Sequence, residues 1–180
     1  MKKSKGIFIG GLILLVCVVL FICFKFGGSS TVNSGSKSIE NLTMDMCKAI
    51  EEREYDEYNS YLDKAYSKYN SVERETMKVT TNRIIDYINS KYGPNVEISF
   101  DINEKKDMLA KLEENGNKEA TLEALNFSDA KELYAVAYTY TISGDGGSDS
   151  SSGTTIIANV DGKWYPASDI ILNHYLLEIQ

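Results

Sequence analysis

Acidic residues are missing from the first 39 positions of this chain, and histidine, proline and cysteine are scarce throughout. Each shortage excludes something. The one histidine, His174, could titrate near neutral pH, but no partner motif surrounds it, so no imidazole-based catalytic set is expected. Two prolines in 180 residues, with 43% hydrophobic residues, fit a packed domain rather than a disordered one. Three cysteines leave no disulfide framework. Cys17 and Cys23 lie in an apolar run, and Cys47 alone lies beyond it. Cys47 reads as a small buried residue on a helix rather than a reactive thiol. Positive charge is short as well. The net charge is −7, and Lys2, Lys3, Lys5 and Lys25 all precede the first acid, Glu40. The remainder is therefore more acidic still. Such a body repels phosphates, so no nucleic-acid partner is expected.

What is present begins with "GIFIGGLILLVCVVLFICF", Gly6 to Phe24. No charge interrupts it, and it is long enough to span a hydrocarbon core as a helix. Lys2, Lys3 and Lys5 precede it and only Lys25 follows closely, which places the N-terminus in the cytoplasm and the rest outside. The rival reading is a cleaved signal peptide. That would have a shorter apolar core ending at a small-x-small site, whereas this run ends "ICFKFGGSS". The expected organisation is a cytoplasmic stub and transmembrane anchor over 1–26, a flexible Gly/Ser linker over 27–38, and an extracytoplasmic α+β domain over 39–180. The lipid bilayer is then a partner through residues 6–24.

After the linker the apolar spacing is helical. Ile39, Leu42, Met46 and Ala49/Ile50 form one stripe, and Tyr55, Tyr58, Leu62, Tyr66 and Tyr69 form a second. A third helix is expected from about Val72 to Tyr92, with Ile84, Ile85 and Ile88 on its apolar side and "YGP" as its stop. The period then becomes two. Val96, Ile98, Phe100 and Ile102 alternate with polar residues, with Asp101 on the opposite face. "KKDMLAKLEENGN" reads as a short helix. "ELYAVAYTYTIS" places Tyr134, Val136, Tyr138, Tyr140 and Ile142 on one side of a strand. Gly144 to Gly153, rich in Gly and Ser, reads as a mobile loop. "TTIIANV" and "KWYPA" flank Asp161-Gly162 as a hairpin. A three-residue turn with a glycine bulge would set Trp164 beside Ala158 and Ile156, and a two-residue turn would set it opposite Asn159. The first register is expected, because it buries the ring against apolar partners. "SDIILNHYLLEIQ" reads as a short helix capped by Ser168 or Asp169.

Helices first, then a sheet ending in "VDGKWY", is an α+β order. Over Asp129 to Tyr165 it resembles the nuclear transport factor 2-like, or cystatin-like, superfamily, and in particular its small extracytoplasmic domains tethered to Gram-positive membranes. The resemblance implies a cone: helices packed on a curved antiparallel sheet, leaving a pocket or a partner surface. It does not choose a role.

No motif points to a cofactor or a metal. Asp145 and Asp149 could donate oxygens to calcium, but two aspartates in a polar loop fall short of a ligand set. The tyrosines carry more. Tyr58, Tyr66, Tyr134, Tyr138, Tyr140 and Trp164 could line an aromatic groove for a ligand or partner, or could simply be the core between helices and sheet. The sequence reads best as a membrane-anchored binding or scaffold domain without catalysis, engaging another envelope protein or a small apolar ligand. Alternatives are an assembly subunit of an envelope-spanning secretion or conjugation machine, and a small pocket enzyme using an acid and a tyrosine.

Overall fold

The computed structural model describes residues 36–176. Three helices come first: α1 Ser36–Glu51, α2 Tyr55–Tyr66 and α3 Ser71–Tyr92. Strand β1 (Glu97–Asp107) follows, then two short helices, α4 (Leu109–Glu114) and α5 (Lys118–Leu125). Strands β2 (Glu132–Gly144), β3 (Gly147–Val160) and β4 (Lys163–Pro166) complete a four-stranded antiparallel sheet in the order β1-β2-β3-β4. A 3₁₀ turn, Leu172–Tyr175, closes the described chain. The protein is α+β, with helices packed on an antiparallel sheet. Among the described residues no helix is long and apolar enough to cross a membrane, and the apolar run at residues 6–24 lies outside them.

The helical spacing read from the sequence is what packs. Ile39, Leu42, Met46, Ala49 and Ile50 of α1 are all buried, as are Ile84, Ile85 and Ile88 of α3. α3 starts where chemistry dictates. The Asn70 side chain accepts from Val72 N–H and Glu73 N–H, and Glu73 accepts from Asn70 N–H, a capping box of about 1 kcal/mol. It stops at Gly93, whose φ of 91° only glycine adopts freely. Asn89 then ties helix to helix by donating to Ile50 O at 2.9 Å.

Alternation along β2 divides the core in two. Tyr134, Val136, Tyr138, Tyr140 and Ile142 face α1, α2 and α3 in the larger cluster. Leu133 and Ala135 face the other way and meet Met108, Leu112, Leu122, Leu125 and Phe127, with Ile156, Ala158 and Val160 of β3. The α4–α5 pair thus roofs one end of the sheet's second face.

Several expectations need correction. Residues 105–107 do not open a helix. β1 continues to Asp107 past a bulge between Ile102 and Glu104, and the helix is only Leu109–Glu114. Helix α1 begins at Ser36, inside the stretch read as linker, and Tyr69 lies beyond the end of α2. The segment 144–153 is not a loop. β3 starts at Gly147 and pairs with β2 from Gly144↔Gly147 through Tyr138↔Gly153. A low-complexity strand that could not stand alone is held by its neighbour's backbone groups. Thr139 and Ser152 hydroxyls meet at 2.9 Å, and Thr141 donates to Ser150 at 3.2 Å. The Asp161-Gly162 turn has two residues, not three. Both have positive φ (51° and 84°), and Trp164 pairs with Asn159. The ring still packs, because that face also carries Tyr134 and Ile157. Leu172–Tyr175 form a 3₁₀ turn rather than an α-helix, residues 177–180 lie outside the described residues, and of the two proposed caps Asp169 is the one that accepts amides, those of Ile171 and Leu172.

The β2–β3 turn is pressed against the end of α3. Gly146 N–H donates to Tyr92 O at 3.0 Å. A Cβ at Gly146 would sit 2.1 Å from Lys91 O, and one at Gly144 would sit 2.3 Å from Tyr92 O. Backbone cannot yield cheaply there. Gly146→Ala is expected to lower unfolding stability by ~1–3 kcal/mol in urea titration, against less than about 0.5 kcal/mol for Ser148→Ala on the exposed part of β3.

Candidate functional site

The sequence-predicted aromatic residues fall into two groups. Tyr58 on α2 is fully buried, and its hydroxyl donates to Asp169 Oδ1 at 2.9 Å. Tyr138 and Tyr140, two residues apart on β2, point the same way. Tyr138 donates to Ile170 O at 2.8 Å and Tyr140 to Ile171 O at 3.3 Å. Their rings stack at 6.3 Å, and Phe100 stacks on Tyr138 at 4.9 Å. Tyr66, half-buried, follows Tyr58 on the helix, and its hydroxyl is pushed up by burial and then by the Asp169 charge. Three of the predicted tyrosines therefore converge on one short segment, residues 169–171. The other group is separate. Tyr134 and Trp164 stack at 5.9 Å near the β3–β4 turn, with Lys105 Nζ 4.9 Å from the Tyr134 ring centre. Trp164 is half-buried, whereas Tyr134, Tyr138 and Tyr140 are each buried. The rings pack between helices and sheet.

The residue that organises the first group was read only as a helix cap. Asp169 is buried, and its Oδ1 accepts from Tyr58 Oη, from Ile171 N–H at 3.1 Å and from Leu172 N–H at 2.7 Å. Burial pushes its carboxyl up to about 6, and the Leu172 amide, the Tyr58 hydroxyl and the Ile171 amide oppose that rise. The same burial, then the Asp169 charge, holds Tyr58 well above its ordinary value. The cap was visible as Asp followed by apolar residues, but nothing local pointed to a tyrosine 111 positions earlier.

A second polar cluster also escaped sequence reasoning. At the end of α3 the Tyr92 hydroxyl bonds Asp149 on β3, and Tyr92 Oη lies 3.2 Å from Tyr175 Oη. Lys91 Nζ reaches Asp149 at 3.0 Å while lying between 5.3 and 5.8 Å from the ring centres of Tyr92, Tyr175 and Tyr87. The Tyr92 hydrogen bond and then the Lys91 hydrogen bond hold Asp149 below the usual carboxylate range. Asp145 is committed elsewhere and accepts from Asn95 at 3.1 Å. The two aspartates read as possible calcium donors thus have different partners. Among the described residues no group of three or more His, Cys, Asp or Glu could hold a metal ion. Asp101 and His174 are exposed, and His174 meets the Tyr175 ring edge-on at 5.2 Å. Cys47 is buried, and burial followed by the nearby Glu51 charge pushes its thiol up to about 12.

Comparison with known protein families, with curated proteins and with solved structures finds no match for this chain. Asp169 is an acid beside a tyrosine, the pair a pocket enzyme would need, but its Oδ1 is taken by three donors inside packed core. That arrangement fixes the chain after β4 beneath α2.

A raised carboxyl has a definite pH signature. Asp169 ionises near 3.8 when unfolded and near 6 when folded, so its contribution to stability is complete below pH 3.8 and is lost as pH rises through about 6. Asp169→Asn keeps an acceptor oxygen and removes the titration. Between pH 4 and pH 7 the parent should lose ~2–3 kcal/mol relative to this variant, read as the difference between the two urea-unfolding profiles. Parallel profiles would show that the carboxyl titrates alike in both states.

Proposed function

We propose that this chain is a single-pass membrane protein that displays its α+β body outside the cell as a non-catalytic binding or scaffold domain. The observation that carries the reading is the apolar run at residues 6–24, with Lys2, Lys3 and Lys5 before it and the acidic body after it. The body has the helix-then-sheet layering of a nuclear transport factor 2-like cone, and we take the cone as its shape. Cys47 supports an extracytoplasmic setting, because a buried thiol with a raised pKa neither oxidises nor exchanges readily. The interior supports a binding role over a chemical one. Tyr58, Tyr138 and Tyr140 spend their hydroxyls on the chain itself. Trp164 and Lys105, both half-buried and packed on the buried Tyr134 ring, offer an aromatic corner to another envelope protein.

Topology tests this reading. Val72 is 74% exposed on α3, so Val72→Cys supplies a reactive thiol on the body, whereas Cys47 stays silent. A membrane-impermeant maleimide applied to intact cells should label Val72→Cys full-length chain and leave the parent unlabelled. Labelling of Val72→Cys only after permeabilisation would place the body in the cytoplasm and overturn the proposal. Release of the labelled body from the membrane with a shortened N-terminus would overturn the anchor.

A further inference from the structure

The sheet has two outer margins, and they are built differently. Six of the eleven residues of β1 are charged: Glu97, Asp101, Glu104, Lys105, Lys106 and Asp107. A bulge interrupts it after Ile102, and Glu51 Oε1 occupies the outward Ile98 N–H at 2.5 Å. Charges, bulges and occupied donors are the means by which sheets refuse an added strand.

From Ser148 to Thr155 the outer margin of β3 has no bulge and only one charge. β4 pairs only with Ile157–Val160 and ends at Pro166. Ala167 N–H then donates to Ile156 O at 2.8 Å, and the chain turns away toward the Asp169 segment. Because Ile156 O faces β4, alternation points the backbone groups of Ser148, Ser150, Ser152 and Thr154 outward as well. Among the described residues no strand pairs with them. Ser148, Ser150 and Ser152 are exposed. The single charge in this stretch, Asp149, is held on the helix face by Tyr92 and Lys91.

We propose that two copies of this chain associate by antiparallel pairing of residues 148–154 of β3, continuing the sheet across a two-fold axis. The occupant is a second copy because this margin complements itself. Hydroxyls oppose hydroxyls and no like charges meet, whereas self-pairing along β1 would bring together two sets of Glu97, Asp101, Glu104 and Asp107. The incoming strand lies in line with β4, in the place the chain vacates after Pro166. The Thr139–Ser152 and Thr141–Ser150 hydroxyl contacts extend across the seam. The inference holds whether or not residues 6–24 span a bilayer.

The test uses the full chain in detergent, with Cys17, Cys23 and Cys47 replaced and one cysteine placed at Ser150, Ser151 or Ser152. Antiparallel partners stand about 4.5–5.5 Å apart at Cα, within disulfide reach. Mild oxidation should convert at least one of these chains to a linked dimer, while cysteine at Asp101 on the β1 margin stays monomeric. Ser152→Pro removes an outward N–H without touching the β2 ladder, and Ser150→Lys sets two cations across the seam. Each should weaken dimerisation at least tenfold in light scattering with unchanged circular dichroism. If Ser152→Pro fails to fold, Ser150→Lys decides alone. Margin cysteines that link no better than the one at Asp101, or variants that dimerise like the parent, would overturn the proposal. So would a dimer held only through the N-terminal segment, because it would leave the margin cysteines unlinked.

Discussion

The constraint on which this fold depends is the carboxyl group of Asp169, buried where water cannot solvate it. An isolated buried carboxylate is prohibitively costly, so the chain must bring it donors or keep it protonated. Here it does some of both. Two amides of its own turn and the hydroxyl of Tyr58 meet one oxygen, and burial still raises its pKa. The arrangement links three parts of the chain at once. Tyr58 comes from α2, the amides come from the terminal turn, and Tyr138 and Tyr140 of β2 hold the adjoining carbonyls. Removing one donor would leave the group under-satisfied in a place that cannot relax, at a cost of about 1–3 kcal/mol.

That lock also explains the shape of the sheet. A chain drawn beneath α2 immediately after Pro166 cannot continue along β3. β4 therefore stops after four residues, and β3 is left half-covered. The opposite margin is defended by charge and by Glu51. The asymmetry follows from where the last strand had to go. The second core, under α4 and α5, stiffens the covered half of β3 through Ile156, Ala158 and Val160. The serine-rich half rests instead on its β2 partner and on the close approach of Gly144 and Gly146 to the end of α3.

Much of this was legible in the sequence. Apolar spacing found α1, α2, α3 and the alternation of β1 and β2, because in each the hydrophobic period is the packing. The failures share a cause: in each, the decisive partner is remote. The strand at Ser148–Gly153 has no apolar pattern, and the evidence for it lies in the free backbone groups of β2. The bulge that carries β1 on to Asp107 is set by its pairing with β2, not by Lys105 or Lys106 themselves. The Trp164 register is not legible locally, because the surface its ring stacks on comes from Tyr134 on a third strand and not from its pairing partner Asn159. Helix α5 went unread because its short apolar set, Leu122 and Leu125, is too brief to show a period. Strand alternation made the shared face of Tyr138 and Tyr140 legible, but not their convergence with Tyr58 on the segment that begins at Asp169.

A buried acid that orders the end of a chain should leave that end as rigid as the sheet it lies against. Native-state hydrogen exchange at the amides of Ile171 and Leu172 measures this directly, since both donate to Asp169. The account predicts protection comparable to that of Ala135 and Ile157 in the sheet. Exchange at rates typical of an open turn would show that the terminal segment is not pinned, and the central role given to Asp169 would be wrong.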